Sequence, residues 1–169
     1  MGKVRPFEGA GIYALYYNGD FPAYSPISGK ETPIYVGKAI PKGARKGRAG
    51  PGAAPGNVLY QRLKEHTRSI AQVSNLRLEH FLCRYLVVED IWIPLGEKLL
   101  IERFAPLWNT VVDGFGIHEP GKGRHQQQCS LWDVIHPGRP LAAKLPPNVC
   151  STEEILGSIC AALSGNQPE

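Results

Sequence analysis

Gly11-Ile12-Tyr13-Ala14-Leu15-Tyr16-Tyr17 is a run of aromatic and branched residues closed by the turn signal Asn18-Gly19-Asp20, and it reads as a β-strand. A second short strand is predicted at Pro33-Ile34-Tyr35-Val36-Gly37. The segment between them is too long for a tight hairpin, and antiparallel pairing is the simplest arrangement. Outward from that pair, residues 58–71 carry Val58, Leu59, Leu63 and Ile70 at helical spacing. Residues 80–88, from His80 to Val88, are almost continuously apolar and predict a strand buried on both faces. Pro94 opens a second helix that runs through Phe104 and closes at Ala105-Pro106. Residues 110–149 are rich in glycine and proline and read as mostly irregular. Ser151 and Glu154 have the spacing of a capping box ahead of Ile155, Leu156, Ile159, Cys160 and Leu163, an amphipathic helix over 152–163. The order strand, strand, helix, strand, helix, loops, helix predicts a small α+β domain.

The chain has 169 residues, of which 43% are hydrophobic and 20% charged, so it is expected to form one globular domain, residues 1–169, and not a disordered chain. A domain of this size buries about 70% of its unfolded surface and needs neither disulfides nor metal to fold. No apolar run reaches the length of a membrane span, and the N-terminus lacks a signal-like apolar stretch, so a cytoplasmic protein without membrane association is expected. The net charge is a mild +4, but its distribution is uneven. Between Glu31 and Glu65 there is no acid, while Lys38, Lys42, Arg45, Lys46, Arg48, Arg62 and Lys64 supply seven positive charges. Residues 39–57 add five glycines and three prolines, which fit no packed element, and the stretch reads as a mobile basic loop, a phosphate-tracking arm in preference to a solvated linker. Cysteines 83, 129, 150 and 160 form no Cys-x-x-Cys pair, so neither zinc nor a redox dithiol is signalled. Cys83 and Cys160 are expected in the core as small hydrophobes. His118, His125 and Cys129 are too weak a pattern to predict a structural metal.

Several polar residues stand out by position. Arg62 and His66 are four apart on the first helix and share a face. Glu97 aligns with Leu100, Ile101 and Phe104 on the stripe of the second helix that should face the core. A carboxylate there costs free energy unless it is paired or holds a metal. Glu102, four after Lys98, looks like an ordinary surface pair. Tyr13 and Tyr35, taken singly, would be sheet packing.

Taken together, Gly11-Ile12-Tyr13, Tyr35-Val36-Gly37, Arg62-x-x-x-His66, Glu97, and Asn109 after Trp108 resemble the GIY-YIG nuclease superfamily, with Val in place of Ile in the second triplet. The stretches Gly114–Arg124, Ser130-Leu131-Trp132-Asp133 and His136-Pro137-Gly138-Arg139 resemble its type II restriction branch, particularly enzymes that cut CCGCGG. The resemblance covers residues 9–145. It implies an antiparallel three-stranded sheet flanked by helices, with a catalytic core over 9–110, recognition loops over 39–57 and 110–145, and a C-terminal helix.

The implied activity is metal-dependent hydrolysis of double-stranded DNA at a GC-rich palindrome. Magnesium is the implied cofactor, one ion per site, with Glu97 as its ligand because a hard cation takes oxygen donors. Arg62 would clamp the scissile phosphate. Tyr13 would activate the attacking water by one of two routes. Half ionisation at pH 7 requires about 4 kcal/mol of differential stabilisation, towards which Lys38, Arg62 and a metal would all push. Alternatively Tyr13 stays neutral and relays its proton to His66. Tyr35 would orient water or phosphate, Asn109 would hold the site together, and Lys38 would touch phosphate or nucleophile. Lys42, Arg45, Lys46 and Arg48 in one loop, and Lys122, Arg124, His125, Gln126, Gln127 and Arg139 in the other, are expected at DNA. A palindrome implies a homodimer, to which Ile155, Ile159 and Leu163 of the last helix could contribute, and a companion methyltransferase that protects host DNA. Two rival readings keep the same fold: a structure-directed or repair nuclease, and a non-catalytic DNA-binding module, for which Glu97 would be superfluous.

Overall fold

The computed structural model describes residues 4–41, 56–117 and 128–165. Its centre is a three-stranded antiparallel sheet in the order β2-β1-β3. β1 is Gly11–Tyr17, β2 is Tyr35–Ala39 and β3 is Phe81–Val87. Among the described residues five α-helices accompany it: α1, Val58–Gln72; α2, Ile93–Phe104; α3, Leu107–Thr110; α4, Leu131–Ile135; and α5, Thr152–Gly165. The two strands expected first do pair antiparallel, with Tyr13 opposite Gly37 and Leu15 opposite Tyr35. A 3₁₀ stretch, Pro22–Ile27, fills the long connection between them.

Side chains alternate across a strand, so the two faces of the sheet carry different residues. Tyr13, Leu15 and Tyr17 of β1 share a face with Tyr35 and Gly37 of β2, and α1 covers it with Leu59, Leu63, His66 and Ile70. Ile12, Val36 and Lys38 lie on the other face, under α2. The central strand demands a glycine at its start. A Cβ on Gly11 would lie 2.0 Å from the Leu86 carbonyl oxygen, well inside contact distance.

α1 ends where Val73 turns extended, and α2 ends at Ala105 in the left-handed region (φ 41°), whose N–H is accepted by the Ile101 carbonyl at 2.9 Å. Pro106 follows, as the sequence reading required. The capping box of α5 forms in both directions: Glu154 N–H donates to Ser151 Oγ (3.2 Å), and Ser151 N–H donates to Glu154 Oε2 (2.7 Å).

Four expectations need correction. β3 is not buried on both faces. It is an edge strand, and Leu82, Tyr85, Leu86 and Val87 are exposed, because only β1 pairs with it among the described residues. The stripe Glu97, Leu100, Ile101 and Phe104 does turn towards the sheet but is only half-buried, leaving an apolar groove of about 230 Å³ against Ile12, Ala14 and Val36. The stretch 110–145 is not simply an irregular recognition loop: Val112, Phe115, Trp132, Ile135 and His136 are core residues, packed round Trp108. Cys160 is exposed, because Ile155 and Ile159 are the residues that α5 buries. Those two pack in the protomer's own core and are spoken for. Cys83 is half-buried, its thiol pushed up to about 12 by that burial, and all four cysteines are free.

Candidate active site

The site grows from the register of β1 and β2. Tyr13 opposes Gly37, and Tyr35 lies two residues from Gly37 on the same face. A Cβ at position 37 would sit 2.4 Å from the Tyr13 hydroxyl and 3.0 Å from the Tyr35 ring, so the glycine of the second triplet leaves the space the two phenols occupy. Their ring centroids are 6.2 Å apart. α1 then presents Arg62 and His66, one turn apart, against them.

His66 is buried, and its Nε2 lies 2.5 Å from the Tyr13 hydroxyl. Its ring stacks on Phe115, with centroids 4.5 Å apart and planes 17° from parallel. Arg62 is half-buried. It donates Nη2–H to the Gly116 carbonyl (2.9 Å) and Nη1–H to Glu65 (3.0 Å). Burial raises Tyr13 well above the ordinary tyrosine range and the neighbouring Tyr35 adds to it, while the Arg62 charge and hydrogen bond only partly oppose them. Tyr35 is raised as well, chiefly by burial, with Arg62 opposing and Glu97 adding. Of the two routes open to Tyr13, the ionised phenol is therefore disfavoured in this structure. Lys38 lies on the other face, away from the Tyr13 hydroxyl, and gives it no help.

Across the edge strand, Lys38 Nζ and Glu97 Oε2 form a close ion pair, with side chains 28% and 20% exposed. The carboxylate on the apolar stripe is thus paired, which meets its burial cost. Lys38 engages Oε2, and the carboxylate keeps a second oxygen for a cation. Among the described residues no group of three or more His, Cys, Asp or Glu converges as a metal cage. One carboxylate with water and phosphate suits an ion such as magnesium, which dehydrates reluctantly.

Asn109 pins the strand between the two half-sites. Its Nδ2 donates to the Val36 carbonyl and its Oδ1 accepts the Val36 N–H, both at 2.8 Å. The structure therefore gathers Tyr13, Tyr35, Arg62 and His66 on one face of β2, Lys38 and Glu97 on the other, and Asn109 at the edge between them.

Arg139 is a correction. It is buried, ion-paired to Asp133 and bonded to backbone carbonyls, so it is not placed to meet DNA. Lys42, Arg45, Lys46, Arg48, Lys122, Arg124, His125, Gln126 and Gln127, together with His118, lie outside the described residues. Sequence reasoning missed Glu65, Phe115 and Gly116. Glu65 was available as a residue three after Arg62 on one helix. Phe115 and Gly116 come from a glycine-rich stretch with no periodicity to mark them.

Two comparisons bear on this geometry. A family model described as "Eco29kI GIY-YIG domain" matches residues 5–163. No curated protein matches the chain.

Proposed function

The chain belongs to the Eco29kI GIY-YIG domain family of restriction-type nucleases, and from that premise we propose that it is a type II enzyme: a magnesium-dependent, site-specific endonuclease that cuts duplex DNA at a GC-rich palindrome such as CCGCGG. The observation that carries this reading is the Tyr13–His66 hydrogen bond set beside Arg62, with Glu97 and Lys38 across the same edge strand.

In the reaction we infer, a water oxygen bonds to phosphorus and the bond from phosphorus to the leaving 3′ oxygen breaks, that oxygen taking its proton from a second, solvent water. The water's proton passes to the Tyr13 oxygen as Tyr13 gives its own to His66 Nε2, so neither phenolate nor hydroxide accumulates. Arg62 has five N–H donors, and its bonds to Gly116 and Glu65 leave others to hold the phosphate as negative charge builds. Tyr35, beside Tyr13, orients the water or the phosphate. Lys38 holds Glu97 in place and lies ready to meet a phosphate oxygen. Glu97 would hold the magnesium ion, which when bound neutralises charge on the phosphate and the leaving oxygen.

Cutting both strands of a palindrome asks for two sites related by a two-fold axis, so we read the enzyme as a homodimer. Ile155 and Ile159 of α5 are committed to the protomer's own core, whereas Leu82 and Leu86 on β3, Trp92 just before α2, and Leu95 and Leu99 on α2 are exposed. That face is the one we assign to the second copy. Lys42, Arg45, Lys46 and Arg48 are assigned to phosphates, and Lys122, Arg124, His125 and Gln126 to the grooves. Such an enzyme works beside a methyltransferase that protects its target, expected in a neighbouring gene.

The test is incubation of the protein with sequenced DNA of several compositions, with and without magnesium, and mapping of the ends. A magnesium-dependent ladder with ends in one palindrome is expected. A smear, or nicking without a common sequence, would overturn site specificity. Glu97→Ala is expected to abolish cutting while duplex binding persists; lost binding would contradict the metal role. Sedimentation of wild type against Leu86→Glu addresses the dimer. A monomeric variant that still makes concerted double-strand breaks would refute it.

A further inference from the structure

The chain between α3 and α4 doubles back over the tyrosines at residues 114–117. The Gly116 carbonyl accepts Arg62 Nη2–H, and Phe115 stacks on His66. A Cβ at position 116 would lie 2.7 Å from the Tyr35 hydroxyl, so the backbone itself covers that group. This segment belongs to no helix or strand that would hold it. It is held from behind by Arg139.

The Arg139 guanidinium donates to three carbonyls of the segment: Nη2 to Gly114 (3.0 Å), and Nη1 to Phe115 (3.3 Å) and Ile117 (2.7 Å). Nε and Nη2 also reach the two Asp133 oxygens, each at 2.6 Å. Ser130 Oγ donates to the same carboxylate at 2.7 Å, and the Trp132 ring lies 4.6 Å from the guanidinium carbon. Both charged side chains are 3% exposed. A buried ion pair is a costly way to gain stability, and it is retained to best effect where it fixes one arrangement. The planar fork also matters. A lysine at 139 would have the charge but not the spread of donors that grips three carbonyls and a carboxylate at once.

We propose that Arg139 is a positioning residue for DNA cleavage: clamped by Asp133, it holds residues 114–117 so that the Gly116 carbonyl aims the Arg62 guanidinium at the scissile phosphate. The proposal rests on the nuclease reading above. It gives Arg139 a role in the reaction without contact with DNA.

Arg139→Lys and Gly116→Ala are made in the full chain, each alone and together with Arg62→Ala. Single-turnover cleavage and duplex Kd over a range of salt are measured, and the Arg62 Nε–H resonance is followed by NMR. Each single variant is expected to slow cleavage by about tenfold or more with Kd unchanged. In the Arg62→Ala background neither is expected to slow it further by more than about twofold, because the effect acts through Arg62. The Arg62 resonance is expected to move in both.

Weaker binding with a smaller salt slope in Arg139→Lys would overturn the proposal in favour of a phosphate contact. Losses that add in full to that of Arg62→Ala would reduce Arg139 to general stability. If Arg139→Lys does not fold, Asp133→Asn loosens the clamp without meeting Tyr35 and decides in its place; an unchanged rate there refutes the idea. If wild type cuts no DNA, the nuclease reading fails separately. The Arg62 resonance still reports on the clamp, and its failure to move would refute the clamp.

Discussion

Two tyrosine–histidine pairs lie in this molecule with almost the same bond length: Tyr13 to His66 at 2.5 Å and Tyr24 to His136 at 2.6 Å. All four side chains are buried. Their surroundings differ. Trp108 Nε1–H donates to the Tyr24 oxygen (2.9 Å), Tyr24 donates to His136 Nε2, and His136 Nδ1–H donates to Asn75 Oδ1 (2.9 Å). Asn75 in turn donates to the Ile135 carbonyl at 2.7 Å. Each group in that chain has a protein partner, the chain running out of the core to the exposed Asn75, and burial, reinforced by the Arg139 charge, pushes His136 down to about 3. The Tyr13 pair instead lies beside Arg62, which is partly exposed, and beside Tyr35. A tyrosine–histidine hydrogen bond is thus not a catalytic signature by itself. In the function proposed above, it is the neighbouring Arg62 cation, able to hold a substrate's charge, that sets the Tyr13 pair apart.

Removing the phenol oxygen from each pair in turn separates the two most widely. Tyr13→Phe is expected to lower single-turnover cleavage by about 10²–10⁴-fold, the usual share of a proton-transfer group, with little change in melting temperature. Tyr24→Phe is expected to do the reverse: cleavage near wild type, and about 1–3 kcal/mol lost in urea unfolding because His136 and Trp108 lose a partner. Equal losses of cleavage in both would show that the two pairs are not different in kind.

A smaller effect concerns pH. His136 is neutral in the folded protein down to about 3, while the unfolded chain takes up that proton near the ordinary histidine value. Between those two values the unfolded state binds more protons, so stability falls as pH falls. Its slope from this residue approaches about 1.4 kcal/mol per pH unit. Urea unfolding from pH 7 to pH 4.5 is expected to show that slope in wild type and to lose it in His136→Gln. A slope that survives the substitution must come from elsewhere. Smallest of all, Asn75→Ala removes the far end of the chain and is expected to cost about 1–2 kcal/mol of stability, with no change in cleavage. A cleavage defect there would tie the core pair to the site.

Much of this site was legible because its residues obey local rules. Arg62 and His66 share a helical face, Tyr13 and Tyr35 fall in strands with clear punctuation, and Ser151 with Glu154 forms the cap their spacing announced. Other features escaped for physical reasons. An apolar run says that a strand is suited to burial, not that anything in the same chain covers it, and β3 shows the difference with Leu82 and Leu86 in the open. Arg139 follows a proline and a glycine and stands six residues from its partner Asp133, a spacing no helix or strand would advertise. Trp132 and Phe115 became core because the chain returns to Trp108 from a distance, and periodicity carries no record of that return.

The Asn109 amide has one more consequence. By offering Val36 both a donor and an acceptor, it imitates a neighbouring strand for one residue, the second of β2. At Val36 that margin of the sheet has no backbone group left for a further strand, which hinders edge-to-edge pairing there. Among the described residues the opposite margin, at β3, carries no such seal. The sheet is therefore a surface with a direction: a strand from another molecule meets less hindrance on the β3 side than on the side of the candidate site.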